Sequence, residues 1–500
     1  MSTPDFDTLI IGAGFAGLSV AHSLGGTGLA VIDRGEPLDL GGATSAYDKA
    51  LNTMPARLPP EHLTPGIDLE TRLLASRQAG NSVHLPLSTM SANVMSYVQG
   101  GISNWWGGYA ARLTRATFEQ DGVLQWPIGY DDVATFYRQA EGLLRVHGDP
   151  RSEGHGYCGE LPGWDYWRDY FQPLFPRARV TPQAKNVSDR DAGAQGLCQG
   201  NGHCALCPND AKARPATVFP QIDVIGNSRV DRIVFDGNRA VAVQGTADGE
   251  DFEVGFRRLV VASGGIENVA LLRRSALPDG VPQHLGHHYQ DHTTCEILGV
   301  MPQAFDRFRL GAEGGVEIPE LSGTFEGIEL KTVMLPVQLT DLQAASLAAG
   351  NPAGVLADLP RRLQRTAVFY LQMEVPPEWN LRLRTRGHEG YIHTTPYLRH
   401  VPLLDAAVMQ VARRLSDAGV QVAAFHPHHR LRFGGHHYSG TTPMSTNERR
   451  VVDSDLRLVG TDNVYINGGS VLPRCGGSGP TLTIAALGLR LGAHLAEQRH

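Results

Sequence analysis

Six residues near the N-terminus, Gly12-Ala13-Gly14-Phe15-Ala16-Gly17, restrict the fold more than any other part of the chain. They follow an apolar run, Leu9-Ile10-Ile11. A second apolar run, Leu29-Ala30-Val31-Ile32, ends on Asp33. Strand, glycine loop, helix, strand and acid in that order form a dinucleotide-binding unit. The glycines permit a tight turn and close approach of a pyrophosphate. The helix N-terminus turns its amides and positive dipole end toward the phosphates, and a carboxylate about twenty residues on reaches a ribose hydroxyl. The expected contacts are Gly12, Gly14, Phe15, Ala16, Gly17, Asp33 and Arg34. The motif alone does not separate FAD from NAD, since both present an ADP half to it.

Other chemistries are narrowed by what the chain lacks. Its net charge of −7 carries no basic footprint for nucleic acid or anionic membrane. No apolar run approaches the roughly 20 residues of a membrane span. The N-terminus has no basic stretch followed by an apolar region and a cleavage site, so a cytoplasmic location is expected. Six cysteines in 500 residues do not make a disulfide scaffold. The 58 glycines exceed the usual share of about 7%, as suits a backbone that meets a large ligand at many places.

The organisation reads as discontinuous α/β. A Rossmann-type unit occupies 1–284 together with 446–500, and a substrate domain with an antiparallel sheet and helices occupies 285–445. Residues 35–99 form a poorly periodic covering excursion, and 195–215 a cysteine-rich loop. Alternation over 229–243 around Gly237-Asn238 predicts a hairpin. Phe256 to Ala262 reads as a strand. Glu267 to Arg274, Asp131 to Val146, Leu404 to Ala418 and Pro480 to Glu497 read as helices. A second glycine-rich loop runs Gly100-Gly101-Ile102-Ser103-Asn104-Trp105-Trp106-Gly107-Gly108.

The C-terminal blocks make the resemblance specific. They are His437-Tyr438-Ser439-Gly440-Thr441-Thr442-Pro443-Met444, then Val451-Val452-Asp453, then Asn463 through Pro473, then Pro480-Thr481-Leu482-Thr483. Together with the N-terminal fingerprint and the Gly100–Gly108 loop, they resemble the glucose–methanol–choline (GMC) family of FAD-dependent oxidoreductases, in particular its pyranose-oxidase and sugar-dehydrogenase large-subunit branches. The resemblance implies FAD and oxidation of a sugar, glycoside or other alcohol to a carbonyl by hydride transfer to flavin N5. The partners it implies are that small-molecule substrate and either O2 or an external electron acceptor. A homo-oligomer is left open, as is the choice between oxidase and dehydrogenase.

Hydride transfer from a carbinol requires a base within reach of the hydroxyl proton, and imidazole suits that task. The resemblance puts His437 in this place, with His436 as the lesser candidate. An extended backbone would turn His436 the other way. It also implies cofactor contacts at Gly101, Ser103, Asn104, Trp106, Gly107, Gly108, Val230, Ser263, Gly264, Asn467, Gly468, Gly469, Pro480 and Thr481. Where relatives with covalent flavin carry the attaching histidine, this chain has Trp105, so non-covalent FAD is expected.

Two departures stand out. The family's Asn or His before the last block is Gly479 here. Its role would pass to Ser478, Thr481 or a residue of the substrate domain, or the enzyme works with one base. Alternatively the fold runs lyase or cyclase chemistry on a biosynthetic intermediate. The second departure is Cys198, Cys204 and Cys207, which resemble a segment of membrane-linked GMC dehydrogenases but lack one adjacent cysteine. An iron–sulfur cluster, zinc, a disulfide and a reduced loop all stay open there. The histidines at 284, 287, 288 and 292, and at 426, 428 and 429, are expected to bond the chain locally, and no metal is expected.

Overall fold

The computed structural model describes residues 5–38, 82–85, 93–149, 155–161, 165–188, 193–198, 207, 209–305, 315–336, 359–386, 389–393, 395–431 and 436–498. A parallel sheet lies at the base of the first unit, in the order Val224–Ile225, Leu29–Ile32, Phe6–Ile11, Glu250–Val261 and Val464–Ile466. Its strands are apolar without alternation because both faces are covered. Leu9, Ile10, Val260 and Val261 have no exposed surface.

The strand Glu250–Val261 serves two sheets. Its second half runs parallel to Phe6–Ile11, and its first half pairs antiparallel with Arg239–Ala247. That strand in turn forms the expected hairpin with Ser228–Asp236. The alternation seen in the sequence therefore began only where one face became solvated. The helix over Glu267–Arg274 matches the reading, while the C-terminal helix runs Thr481–Glu497.

That last helix lies against helix Phe15–Leu24 at close range. A methyl group on Gly492 would come within 2.6 Å of Ser23 Cβ, and one on Gly488 within 2.8 Å of Ser19 Cβ. Glycine at these two positions lets the backbones approach, so the C-terminus is clamped onto the dinucleotide fingerprint. Helix Tyr130–Leu143 packs on the same helix and ties to it through Tyr137 and Thr483 hydroxyls 2.8 Å apart.

The second sheet is antiparallel, ordered Gln421–His426, His292–Val300, Thr366–Glu374, Ile328–Pro336, Val316–Glu317 and Arg179–Val180. Helix Val401–Asp417 covers part of it with Leu404, Ala407, Val411 and Leu415. Burying each leucine contributes about 1.5–3 kcal/mol. Arg179–Val180, from the first half of the chain, supplies the edge strand. Within the 35–99 excursion, Ser82–Leu85 and Asn93–Ser96 pair as a short ladder, and residues 39–81 and 86–92 lie outside the described residues.

The chain passes between the two sheets near residues 285–292, and 436–445 returns beside it. Gln290 bridges to Ser439, and Tyr289 to Leu381. Two further segments converge at this seam: 263–268, through Thr441 and the Gly265 carbonyl, and 467–480, through Gln290 and the Pro473 carbonyl.

Candidate active site

The fingerprint loop is built as its spacing requires. Gly12 has φ +104°, and a Cβ there would sit 2.5 Å from the Ala262 carbonyl oxygen. Gly17 is pressed onto the Gly12 carbonyl. Asp33 accepts hydrogen bonds from the Ala13 and Gly35 amides, each at 2.8 Å. Burial pushes its carboxyl up, and the amides of Ala13, Gly35 and Gly100 offset only part of that rise. Arg34 lies over the Tyr97 ring at 3.6 Å and 3.8 Å from Glu267. Ser228 donates its amide to the Asp33 carbonyl at 2.9 Å, which brings Val230 to the same end of the sheet.

The Gly100–Gly108 loop docks on this fingerprint. Ser103 Oγ lies 3.5 Å from the Phe15 amide, and Trp106 meets Phe15 edge-on at 5.5 Å. Asn104 is buried and donates to the carbonyls of Gln99 and Gly101 at 2.9 and 3.1 Å. Lys212, also buried, donates its ammonium to the carbonyls of Asn104 and Trp106 at 2.6 and 2.9 Å. Trp105 is core. Gly101 has φ +55° and Gly108 φ +90°, the latter packed against Lys185.

Opposite this loop, Asn268 accepts from the Ser263 amide at 2.8 Å and donates to Ser470 at 3.0 Å. Asn467 turns inward, donating to the Ala16 carbonyl at 2.9 Å, and its buried Oδ1 has no partner. Gly468 lies 3.9 Å, counted from an added Cβ, from Ala16, while Gly469 packs on the Tyr438 carbonyl. Pro480 and Thr481 open the C-terminal helix at the seam. Nothing lies within 4 Å of a Cβ placed on Gly107 or Gly264. A backbone-walled cradle that begins at a helix N-terminus and carries an unsatisfied buried amide oxygen fits an FAD.

His437 stands at the seam. Its amide donates to Asp291 Oδ1 at 2.9 Å, and its carbonyl accepts from the Ser439 hydroxyl at 2.7 Å. Its ring Nδ1 is 2.8 Å from Nδ1 of His292, the first residue of strand His292–Val300. The other ring nitrogen, Nε2, faces Gly479. Burial holds the imidazole well below its ordinary range, helped by His292 and His436. His436 departs from the extended geometry expected for it. It has φ +60°, and its ring bonds the Tyr438 hydroxyl at 3.1 Å.

A second polar set reaches the same place from the antiparallel sheet. Lys331 is buried on strand Ile328–Pro336 and donates to Ser478 Oγ at 3.0 Å. It lies 3.4 Å from Glu317, which Arg179 also pairs at 2.9 Å. Burial is the largest single influence and lowers the ammonium, but Glu317 and Tyr109 together overcome it and push it up to about 12. Sequence reasoning missed Lys331, Lys212 and the His292 contact. No spacing links 331 to 478, and His292 stood only within a histidine group expected to bond the chain locally.

Ligand atoms of Asp291, His292 and His437 lie within 4.8 Å of one another. Asp291 already accepts from two amides and from the Tyr289 hydroxyl at 3.0 Å. The 2.8 Å contact between the two imidazoles has the length of a hydrogen bond, shorter than the about 3.4 Å separating two nitrogens around tetrahedral zinc. His284 and His288 bond the carbonyls of Arg449 and Pro377 at 2.7 and 3.1 Å, and His429 pairs with Asp405 at 2.8 Å. Cys198 and Cys207 are not in disulfides, and Cys204 lies outside the described residues. No helix among the described residues is long and apolar enough to cross a membrane.

Family models described as GMC oxidoreductase match residues 184–294 and 401–488. The chain is 26% identical to 6'''-hydroxyparomomycin C oxidase of Streptomyces lividus, over 80% of this chain and 79% of that one. It is 23% identical to the fructose dehydrogenase large subunit of Gluconobacter japonicus, over 97% and 96%. Two uncharacterized GMC-type oxidoreductases of Mycobacterium tuberculosis are 25% identical over 62% of the chain, which spans only 51% of their length. Among solved structures, pyridoxine 4-oxidase from Mesorbium loti superposes with a TM-score of 0.63 at 15% identity, covering 99% of this chain and 100% of that one. That last likeness is one of fold.

Proposed function

The chain belongs to the GMC oxidoreductase family, and from that premise we propose that it is an FAD-dependent enzyme that oxidises a hydroxyl on a sugar, glycoside or other alcohol to a carbonyl. The observation that carries this reading is the half-buried His437 ring, tied back through Nδ1 and presenting Nε2 at the seam between the two sheets. Bound FAD, held by the fingerprint loop, the Gly101–Gly108 segment and the 467–481 segment, supplies the hydride acceptor. His437 Nε2 takes the hydroxyl proton, for which it must be neutral, and its burial keeps it so. Lys331 donates to Ser478, which fixes the hydroxyl next to Gly479 in the chain.

Gly479 favours a second reading, a lyase or cyclase reaction without net flavin reduction. An anaerobic screen of sugars, glycosides, alcohols and amino alcohols separates the two. Bleaching of the flavin by one class supports oxidation. A flavin that stays oxidised against every class while substrate is transformed overturns it. The same screen with and without O2 assigns the electron acceptor.

A further inference from the structure

The two imidazoles at the seam form a directed chain whose direction is set three residues away from the reacting position. Gly476 is held from both sides by cross-strand neighbours, since His292 and Glu374 face each other in the antiparallel pair His292–Val300 and Thr366–Glu374. Glu374 accepts from the Gly476 amide at 3.0 Å. Glu374 is itself fixed by Arg474, which donates to it through Nε at 3.0 Å and Nη2 at 2.9 Å. Gly476 has φ +62°, and a Cβ there would lie 3.0 Å from the Thr117 methyl, so its orientation is confined by packing as well.

The Gly476 carbonyl can only accept. His292 Nε2 lies 2.7 Å from it and must therefore carry the proton. Burial pushes His292 down to about 4, so the ring is neutral at ordinary pH and holds one proton only. Its Nδ1 is then a bare acceptor. At 2.8 Å from that lone pair, His437 Nδ1 must be the donor. His437 has no further ring proton, and its Nε2, the atom facing Gly479, is left with its lone pair exposed to the site.

We propose that His292 is a positioning residue that locks His437 into the Nδ1–H tautomer, so that Nε2 is always the atom able to take a proton. This deepens the reading of His437 as the base and rests on it for its consequence in catalysis. The principle is general: the hydrogen bond made by one ring nitrogen decides the state of the other. Here the orienting partner is a second histidine, whose own tautomer is chosen by a backbone carbonyl. Among the described residues, the hydrogen bonds of the two paired ring nitrogens run to one another and to the Gly476 carbonyl. Asp291 spends its oxygens on the His292 and His437 amides and the Tyr289 hydroxyl.

The test begins with the FAD-bound wild-type enzyme labelled with 15N-histidine, the His437 signals being assigned by their loss in His437→Asn. Two-bond correlations are expected to show a protonated Nδ1 and an unprotonated Nε2 at pH 7. A protonated Nε2 overturns the proposal without any need for a substrate. His292→Leu is expected to mix the His437 tautomers and to slow anaerobic flavin reduction by about tenfold to a hundredfold, the scale at which an orienting partner acts, with KM changed less than twofold. His292→Asn, whose amide oxygen still accepts from Nδ1–H, is expected to recover part of that loss. Unchanged tautomer and rate in a folded His292→Leu overturns the proposal. A locked tautomer in a protein whose flavin no alcohol reduces leaves the lock in place and removes instead the proposed reaction.

Discussion

A side chain on Gly479 would begin 3.2 Å from Nε2 of His437 and 3.4 Å from its Cε1. The glycine and the imidazole thus share one space, and the ring takes the room that a second side chain would need. His437 is anchored through its amide and Nδ1, so it has little freedom to yield. Gly479→Ala is expected to lower the flavin-reduction rate by about tenfold through a small displacement of the base, and Gly479→Asn by more. Stopped-flow reduction with the best substrate from the screen checks this. FAD content should stay unchanged.

Removing the proposed base is expected to give a larger effect. His437→Ala is expected to reduce the rate of flavin reduction by about 10²- to 10⁴-fold while the protein keeps its yellow colour. Equal loss in His436→Ala would remove the ranking of the two histidines, which rests on the turn at His436 and its bond to Tyr438.

The acid limb of the rate profile follows from burial. His437 lies well below its ordinary range and His292 at about 4, both chiefly through burial. The proposed base therefore stays neutral as pH falls through 6.5, and kcat/KM should decline only well below that pH. Stability has the matching sign. The unfolded chain binds protons at these histidines from about pH 6.5 downward, ahead of the folded state, so stability is present above that pH and is lost as pH falls toward 4. Urea midpoints at pH 7 and pH 5 should fall in wild type, and by a smaller amount in His292→Leu.

Lys212 holds the second glycine loop through two carbonyls. Lys212→Met leaves both without that donor. Each lost partner in a buried setting costs about 1–3 kcal/mol. The variant is expected to release FAD more readily, measured as a raised Kd on reconstitution, with a lower melting temperature.

Trp105 is packed in the core and has no nucleophile to offer a flavin. Acid precipitation should leave all of the yellow colour in the supernatant. Flavin retained in the pellet would contradict the expectation of a non-covalent cofactor.

Much of the first unit was legible in the sequence because its constraints are local. Gly12, Gly17 and Asp33 sit within one strand–loop–helix–strand, where spacing alone dictates the contacts. The 229–243 hairpin showed its alternation for the same reason, since one of its faces meets solvent. The strand Glu250–Val261 was recognised only from Phe256, where it enters the buried sheet. Its earlier half is polar and owes its form to Arg239–Ala247.

The site followed a different rule. Position 437 came from its motif, which named the residue without its partners. What would make it a directed base is its meeting with His292, 145 positions earlier, and the grip of Glu374 and His292 on Gly476. Lys331 reaches Ser478 across 147 positions. Pairings of that separation depend on how the antiparallel sheet docks against the dinucleotide unit, and no periodicity along the chain encodes them. The sequence by itself determined the cofactor unit, because backbone geometry and glycine spacing act over a few residues. The tertiary structure alone decided which nitrogen of His437 faces the site, because a tautomer is set by partners that only folding brings together.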